Sequence, residues 1–539
     1  MIHLFLFALL SAAQNAPPDK CLISGTVVDS VTGAPLNRVE ITAENDANRG
    51  TVQMPSATSD GSGQFTLVDV PPGHYVLKGR RNGYLETSYG ARRAEGQGTP
   101  VSVEAGQSVR DLEFKLVPFG VIAGTVRDQD GEALNRVSVQ AYRVSFQRGR
   151  RRLSRVDDAY TDDLGQYRIF GLAPGNYYVE ASPDRPSSRT GQRKEVMVPV
   201  LYPGVEDPAN AHQIEVGAGV RVTGIDLTLP RRSTVTVNGK VSTPPGTKLS
   251  DVRLTHSNSD AEELGFQASA SVGANGDFDF PAVPAGAYTV IAAARPPEKP
   301  TNSMLESMFG FMEYRASVPL EVTNLPVKNV QINVQAGAEV TGHISVEGEK
   351  KRVADNFVGF DNATGSSSAF VREDQTFSIA LPVGHHFLSH EIGRGYIVQR
   401  VVLEGRDIFE EGLTISGPGQ MALEIVLSKD GGQLAGVVTD KDGAPVPGTT
   451  VVLVPEARLR SHQDLFLHGQ TDQSGRYEFH AIQPGNYTAF AWEDVEPGIW
   501  WDADFMRGYE GKGEGAEVRA GGHESLKLTV LPPAVVKFP

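Results

Sequence analysis

One short pattern recurs five times along the 539-residue chain and limits its fold more than any other feature. Each copy consists of two apolar residues that flank a central glycine at a spacing of two. The five central glycines are Gly25, Gly124, Gly239, Gly342 and Gly436. Self-similarity at a fixed period indicates a repeated structural unit. Because side chains alternate in a strand, each glycine shares a face with its apolar neighbours, and a glycine on that face predicts the close approach of another backbone.

A second pattern follows about 40 to 50 residues after each central glycine. It is a Pro-Gly type of turn with an aromatic residue two positions after the glycine. The glycine–aromatic pairs are Gly73 and Tyr75, Gly175 and Tyr177, Gly286 and Tyr288, and Gly485 and Tyr487. In the fourth copy, His386 follows Gly384 instead. Proline presets the first corner of a type II turn and glycine supplies the positive φ at the second, so each pair predicts a turn that leads into a strand.

Each repeat closes with an alternating segment that has one apolar and one polar face. These segments are 112–116, 225–229, 330–334, 423–427 and 526–530. Such alternation is typical of a sheet that is half-buried in a sandwich. The sequence therefore predicts an all-β protein, a string of five immunoglobulin-like or transthyretin-like antiparallel β-sandwich modules. The predicted modules span 21–118, 119–232, 233–336, 337–430 (a degenerate copy) and 431–539, and connectors of about four residues predict a semi-rigid string.

Composition and the N-terminus narrow the setting and the partners. The formal net charge of −15 disfavours nucleic-acid binding, which depends largely on Lys and Arg. The single cysteine, Cys21, excludes an intrachain disulfide. The apolar run 4–10, followed by small residues, predicts a signal peptide over 1–13, and no later stretch approaches the roughly 20 apolar residues of a membrane span. We therefore expect an exported protein that is extracellular, periplasmic or associated with the cell surface.

The fifth copy carries a recognisable set of motifs. It has Asp440-x-x-Gly443-x-Pro445, then Asp472-x-x-Gly475-x-Tyr477, then the Pro-Gly-x-Tyr turn. This combination resembles the carboxypeptidase regulatory-like domain, a transthyretin-like or carbohydrate-binding-like sandwich that is similar to Cna-B-type repeats. The resemblance implies an accessory, non-catalytic module, and tandem copies resemble those of exported bacterial proteins. The resemblance also makes an isopeptide bond, as found in Cna-B modules, a candidate feature. Its two residues would be Lys240 and Asn333. Since no glutamate has a clear position beside them, we do not expect that bond.

Candidate catalytic and metal sites are each explained by the repeat. His212-x-x-Glu215 has the spacing of a zinc motif, but it precedes a closing strand in a position that the first copy also has. His385, His386 and His390 form the densest histidine cluster, in the degenerate turn of the fourth copy. Asp128-x-Asp130 and Asp440-x-Asp442 resemble calcium loops but lack the later glutamate. The sequence therefore predicts no catalytic residue, no metal and no cofactor, and a protein that is not an enzyme.

All three tryptophans lie in the last copy, and they form the predicted binding site. Trp492, Trp500 and Trp501, with Tyr509 and Asp502, could bind a carbohydrate by ring stacking and hydrogen bonds, and Pro497-Gly498 would turn the rings of Trp500 and Trp501 outward. The alternative is that this segment packs its rings on the sandwich.

Two further segments carry separate predictions. Five arginines lie between Arg148 and Arg155, which predicts either a solvated hairpin tip or an anion contact. One helix is predicted over 302–314, where three methionines share a face.

The leading functional hypothesis is a non-catalytic exported interaction or spacer protein, with a polysaccharide or another exported or surface protein as its partner. Two alternatives stay open at this point. One is a purely structural surface rod, and the other is an accessory subunit of an exported hydrolase or peptidase.

Overall fold

The computed structural model describes residues 21–45, 54–147, 149–183, 194–257, 264–297, 312–348, 357–362, 365–389 and 395–534. The predicted signal peptide, Arg148 and His390 lie outside the described residues, as does the predicted helix 302–314 up to position 311. The chain divides into two compact units, Met1–Pro118 and Phe119–Pro539.

The first unit is module one, a sandwich of two sheets. Its strands are β1 (Cys21–Asp29), β2 (Glu40–Glu44), β3 (Ser56–Thr58), β4 (Gln64–Val70), β5 (Gly73–Arg80), β6 (Thr87–Ser88), β7 (Val101–Val103) and β8 (Ser108–Leu116). One sheet has the order β4-β1-β8 and the other has the order β3-β2-β5-β6, with β7 also paired to β5. Ile23, Phe65, Leu77 and Phe114 fill the core between them.

The second unit begins with module two. Its strands are β9 (Gly120–Asp128), β10 (Ser138–Gln147), β11 (Arg150–Tyr160), β12 (Gln166–Leu172), β13 (Gly175–Ser182), β14 (Glu195–Met197), β15 (Val200–Leu201), β16 (Ile214–Val216), β17 (Arg221–Val222) and β18 (Leu227–Leu229), with a 3-10 turn at Pro208–Asn210. One sheet contains β11-β10-β13-β15 and the facing sheet contains β12-β9-β17.

Modules three and four repeat this plan. Module three has β19 (Arg231–Ser242), β20 (Lys248–His256), β21 (Ala268–Ser269), β22 (Ser271–Val272), β23 (Asp277–Pro284), β24 (Gly286–Arg295), β25 (Tyr314–Val322) and β26 (Val327–Asn333). Module four has β27 (Ala338–Val346), β28 (Phe357–Asn362), β29 (Gly365–Phe370), β30 (Thr376–Leu381), β31 (Gly384–Ser389), β32 (Ile397–Leu403), β33 (Arg406–Asp407), β34 (Leu413–Ile415) and β35 (Gly419–Ser428). Each encloses its own apolar core.

Module five adds short helical segments to the sandwich. Its strands are β36 (Gly432–Thr439), β37 (Thr450–Pro455), β38 (Leu467–Gln470), β39 (Arg476–Ile482), β40 (Gly485–Trp492), β41 (Glu514–Val518), β42 (His523–Ser525) and β43 (Leu528–Thr529). The 3-10 turns are Ala457–Leu459, Gln463–Leu465 and Ile499–Trp501, and an α-helix spans Ala503–Arg507. The predicted all-β fold of multiple sandwich modules is confirmed.

The opening strand of every module has the same two neighbours. It pairs antiparallel with the strand that precedes the turn glycine and parallel with the closing strand, as β1 does with β4 and β8. The parallel pair is a feature that the repeat pattern did not predict. The predicted close backbone approach is confirmed at the central glycines, because an added Cβ at Gly25, Gly124 or Gly436 would lie 2.1, 1.9 or 1.9 Å from a carbonyl oxygen of the closing segment.

The aromatic residue after each turn glycine makes one recurring hydrogen bond. Its hydroxyl donates to the backbone carbonyl four residues earlier, at 2.8 Å for Tyr75, 2.5 Å for Tyr177, 3.1 Å for Tyr288 and 2.9 Å for Tyr487. In module four, Nε2 of His386 lies 2.9 Å from the carbonyl of Pro382 and takes the same place. The turn glycines have φ near 155°, as Gly175 does, so their φ is positive as predicted but far from the roughly 80° of a type II turn.

The sheets assort by module with one exception. β14 comes from the predicted range of module two but pairs with β19 of module three. The module boundaries, as limits of independently folding units, stay a prediction. Within the described residues, no helix is long and apolar enough to cross a membrane.

Candidate functional site in the tryptophan segment of module five

The segment that contains the predicted binding residues begins at the last residue of β40, Trp492. Gly498, in the left-handed conformation with φ 80°, starts the 3-10 turn Ile499–Trp501. Asp502 then caps the α-helix, because its carboxylate accepts hydrogen bonds from the backbone N–H groups of Asp504 at 2.8 Å and Phe505 at 2.9 Å. One carboxylate oxygen of Asp502 is therefore already used to begin this helix.

The rings of two of the three tryptophans are buried. Trp492 is 0% exposed, lies stacked on Phe490 with 5.2 Å between ring centroids, and meets the edge of Tyr509 at 5.3 Å. Trp500 is 3% exposed and lies against His468 at 5.0 Å, whereas Trp501 is half-buried. The expectation that the rings of Trp500 and Trp501 face outward is corrected for Trp500, and the buried Trp492 is equally closed to a ligand.

The apolar cluster that contains both rings extends into module two. A single apolar cluster, here called the two–five cluster, joins both modules. From module two it contains Tyr142, Val144, Phe146, Tyr178 and Leu201, and from module five it contains Val452, Val454, Phe466, Phe490, Trp492, Val495, Ile499, Trp500, Met506 and Ala534. Leu264 of module three also belongs to it. Module five therefore packs on module two, although two modules separate them in the sequence.

Two glycines permit the closest approach between the modules. An added Cβ at Gly149, in the turn of the β10–β11 hairpin, would lie 2.5 Å from the backbone oxygen of Trp501. An added Cβ at Gly498 would lie 2.7 Å from the backbone oxygen of Phe146. Since real Cβ atoms do not approach oxygen this closely, both loops depend on glycine for their contact.

The arginine-rich hairpin is part of this contact. Val144, Phe146 and Leu153 of the hairpin pack in or against the two–five cluster, while Arg150 is exposed and Arg151 and Arg152 are half-buried. The predicted solvated hairpin tip is therefore a partial description, because the tip backbone lies against module five. The facing segment carries Glu493, Asp494 and Glu496.

Most polar groups in and beside the two–five cluster carry no charge. Within the described residues, the Nε1 atoms of Trp492, Trp500 and Trp501 are buried and have no hydrogen-bond partner. Leaving a buried N–H unpaired costs about 1–3 kcal/mol, which the packing of these large rings has to offset. Desolvation of the ring face that lies against Trp500 lowers the pKa of His468, although the residue is partly exposed, and this favours a neutral imidazole.

The predicted metal candidates have structural roles. Among the described residues, no group of three His, Cys, Asp or Glu is placed to hold a metal ion. His212 and Glu215 are exposed, and Nδ1 of His385 lies 2.9 Å from the hydroxyl of Thr414. In the loop that resembles a calcium site, the guanidinium of Arg231 binds Asp128 at 2.9 Å and Asp130 at 3.2 Å.

The hairpin aspartates act as turn formers. One carboxylate oxygen of Asp440 accepts the backbone N–H groups of Asp442 at 2.9 Å and Ala444 at 2.8 Å. Asp60, Asp128, Asp162 and Asp472 make the same pair of bonds. These side chains stabilise the Asp-x-x-Gly turn, which explains why the motif recurs.

The candidate isopeptide residues are not brought together. Nζ of Lys240 lies 4.0 Å from Asp277, and the carboxamide oxygen of Asn333 accepts the Ser242 hydroxyl at 3.1 Å. Along the parallel β19–β26 pair, Lys240 is aligned with Gln331 and Ser242 with Asn333.

The fold and this segment define a class of protein, a tandem array of β-sandwich modules in which the richest aromatic cluster joins two modules. The family model of the carboxypeptidase regulatory-like domain matches residues 22–117, 121–229 and 433–494. Modules one, two and five therefore belong to the carboxypeptidase regulatory-like domain family, and the chain carries this domain in tandem.

Solved structures to which parts of the chain are similar include bacterial pilins. The minor pilin of Streptococcus agalactiae is 13% identical, with a TM-score of 0.22, over 39% of this chain and 95% of that one. A shaft pilin of Lactobacillus rhamnosus GG is 11% identical, with a TM-score of 0.19, over 40% of this chain and 98% of that one. The Bacillus anthracis TIE protein is 14% identical, with a TM-score of 0.16, over 75% of this chain and 73% of that one. No curated protein matched the chain.

Proposed function

We propose that the protein is a non-catalytic, exported interaction or spacer protein whose modules two and five are fixed to one another. One observation carries this proposal: the segment with the strongest binding signature uses its rings to pack two modules together. Trp492 and Trp500 are almost fully buried in the two–five cluster. A chain whose modules hold one another in a defined arrangement presents partner-binding surfaces at fixed positions, which suits a scaffold.

Contacts between successive modules support the same proposal. Arg231, at the start of module three, bridges Asp128 and Asp130 of module two. The side-chain amide of Gln483 in module five donates to the backbone oxygen of Val398 in module four at 3.0 Å. Such links restrict rotation at the junctions, so the modules within the second unit are expected to move little relative to one another.

The absence of catalysis is tested most directly at His212 and Glu215. We expect no zinc-dependent release of C-terminal residues from peptide substrates, because the two exposed side chains have no third ligand among the described residues. The measurement is amino-acid release from free and C-terminally blocked peptides, with and without added zinc. Hydrolysis by the wild-type protein that disappears in a His212→Ala variant, but not in a His480→Ala control, would contradict the proposal.

Carbohydrate binding at the tryptophan segment stays a prediction. Trp501, Tyr509 and Asp502 keep part of their surface exposed, so these three residues are where a sugar could still make contact. A second alternative is an accessory subunit of an exported hydrolase or peptidase. Co-purification of such a hydrolase with this protein would support it. A surface rod without any ligand is the remaining alternative.

A further inference from the structure

A polar groove lies on the outer face of one sheet in module three. It has a volume of about 730 Å³, within the roughly 300–1,000 Å³ of small-molecule sites. Polar and apolar atoms contribute about equally to its lining, and its polar side chains are Asn238, Lys240, Ser271, Asp277, Asp279, Asn329 and Gln331.

The strand register places these side chains side by side. Asn238 pairs with Asp279 and Lys240 with Asp277 across β19 and β23, and Lys240 is aligned with Gln331 across β19 and β26. The short strand β22 extends the sheet beyond β23, where Ser271 pairs with Asp279. Three neighbouring strands therefore present their polar faces to one hollow, and a fourth strand forms its side.

The groove has hydrogen-bonding capacity that the protein itself does not use. Within the described part of the chain, the side chains of Asn238 and Asp279 have no hydrogen-bond partner, although both are half-buried. Partial burial raises the pKa of Asp279, which indicates a carboxylate with reduced access to water and no compensating cation. Lys240 and Asp277 form only a loose pair at 4.0 Å, with both side chains more than half exposed.

The mixture of groups excludes several classes of ligand. Two carboxylates against one ammonium disfavour an anion, and the ammonium of Lys240 disfavours a metal ion. A wholly apolar molecule is disfavoured, because it would cover the charged and carboxamide groups of the lining without giving them hydrogen bonds. Carboxamides and carboxylates offer paired donors and acceptors, and vicinal hydroxyl groups can satisfy both.

We propose that this groove binds a neutral oligosaccharide. The site lies in module three, and it is independent of the two–five cluster and of the predicted tryptophan site. Because no aromatic ring among the residues that line the groove is exposed, hydrogen bonds supply the recognition and we expect weak binding by a single chain. Repeated sugar units along a polymer would raise the apparent affinity of an array of chains.

Module one offers a matched control for this groove. Ser24 precedes the central glycine of module one as Asn238 precedes that of module three, and Ser24 pairs with Thr66 as Asn238 pairs with Asp279. These positions face outward in both modules and carry short hydroxyl side chains in module one. A double substitution of Ser24 and Thr66 therefore changes the equivalent positions in a module that lacks the carboxylate and carboxamide of the groove.

The experiment is isothermal titration of the full-length mature protein with neutral hexasaccharides of glucose, mannose and xylose, and with a hexamer of galacturonic acid. We expect at least one neutral hexasaccharide to bind saturably below about 10 mM. Asn238→Ala/Asp279→Ala should weaken that binding by about ten-fold or more, while Ser24→Ala/Thr66→Ala and Trp501→Ala should leave it unchanged. An Asp279→Asn variant, which keeps the shape of the side chain, guards against misfolding and should weaken binding less.

Three outcomes would overturn the proposal. The first is the absence of saturable binding for every neutral hexasaccharide. The second is binding of the galacturonic acid hexamer alone. The third is binding that survives Asn238→Ala/Asp279→Ala or that is lost instead in Trp501→Ala, which would return the carbohydrate site to module five.

Discussion

At the scale of single residues, the repeat tolerates a change of side chain when one hydrogen bond is kept. The tyrosine that follows each turn glycine reaches back four residues to a backbone carbonyl, and His386 makes the equivalent contact in module four. His386 is 0% exposed, and its Nδ1 has no hydrogen-bond partner among the described residues. The neutral ring therefore donates from Nε2, and protonation of Nδ1 would add a buried N–H without an acceptor.

This substitution predicts that module four loses stability as the pH falls. Burial lowers the pKa of His386 below its ordinary value of 6.5, and nearby His385 lowers it further, against the opposing effect of the Pro382 carbonyl. Below about pH 6.5 the unfolded chain then binds a proton that the folded module does not. The free energy of unfolding should therefore fall as the pH drops from about 6.5 through the lowered pKa of His386.

Reciprocal substitutions test this pH dependence. His386→Tyr should keep the hydrogen bond and remove most of the dependence, whereas Tyr487→His should increase the acid sensitivity of module five. Hydrogen exchange of peptides from 376–389, measured between about pH 7.5 and pH 5, reports on module four. Equal acid sensitivity of wild type and His386→Tyr would contradict the argument.

At the scale of elements, the central glycine allows the opening and closing strands to pair in parallel. At Gly436 an added Cβ would lie 1.9 Å from the backbone oxygen of Leu526, and Tyr477 donates its hydroxyl to that same oxygen at 2.7 Å. At Gly342 of module four the carbonyl is more distant, at 2.9 Å, and the ring of Phe377 is nearer. The central glycine is therefore required for the parallel pairing of these two strands and not for a turn.

We expect Gly436→Ala to destabilise module five by about 1–3 kcal/mol or more, because the added methyl group forces the two strands apart. Gly515→Ala is the matched control in the same module, since nothing lies within 4 Å of the added Cβ. Chemical denaturation followed by tryptophan fluorescence reports on this module, because all three tryptophans belong to it. Equal midpoints for the two variants would show that the close approach does not hold the pair.

Local periodicity was sufficient to predict the elements but not their long-range partners. The alternation around Gly25 and in 112–116 correctly indicated strands, yet nothing in either segment distinguishes a parallel from an antiparallel neighbour. Trp500 belongs to the same apolar cluster as Phe146, which is far away in the sequence. The apolar alternation of Val144 and Phe146 beside the arginines was the one available signal, and it indicates only that one face of the hairpin is covered.

At the scale of the second unit, the contact between modules two and five makes the positions of two distant sequence regions interdependent. The buried face of the β10–β11 hairpin meets the segment around Trp500, and Gly149 and Gly498 allow the backbones to meet. Exposing either surface to water would be unfavourable, since each carries several large apolar side chains. We therefore expect that unfolding of module two or module five, or separation of the two, changes the stability of the other module.

Tryptophan fluorescence can report on the contact between modules two and five, because all three tryptophans of the chain lie in module five. We expect the wild-type protein to show blue-shifted emission and little quenching by acrylamide, since Trp492 and Trp500 are 0% and 3% exposed. Phe146→Ala, in module two, should shift the emission of module five to the red and increase quenching, because it removes a ring from the two–five cluster at a cost of up to about 3–5 kcal/mol. Phe170→Ala is the control from the same module, since Phe170 is 52% exposed and lies outside the cluster. Emission typical of exposed indoles in the wild type, or identical spectra for Phe146→Ala and wild type, would show that module five does not rest on module two in solution.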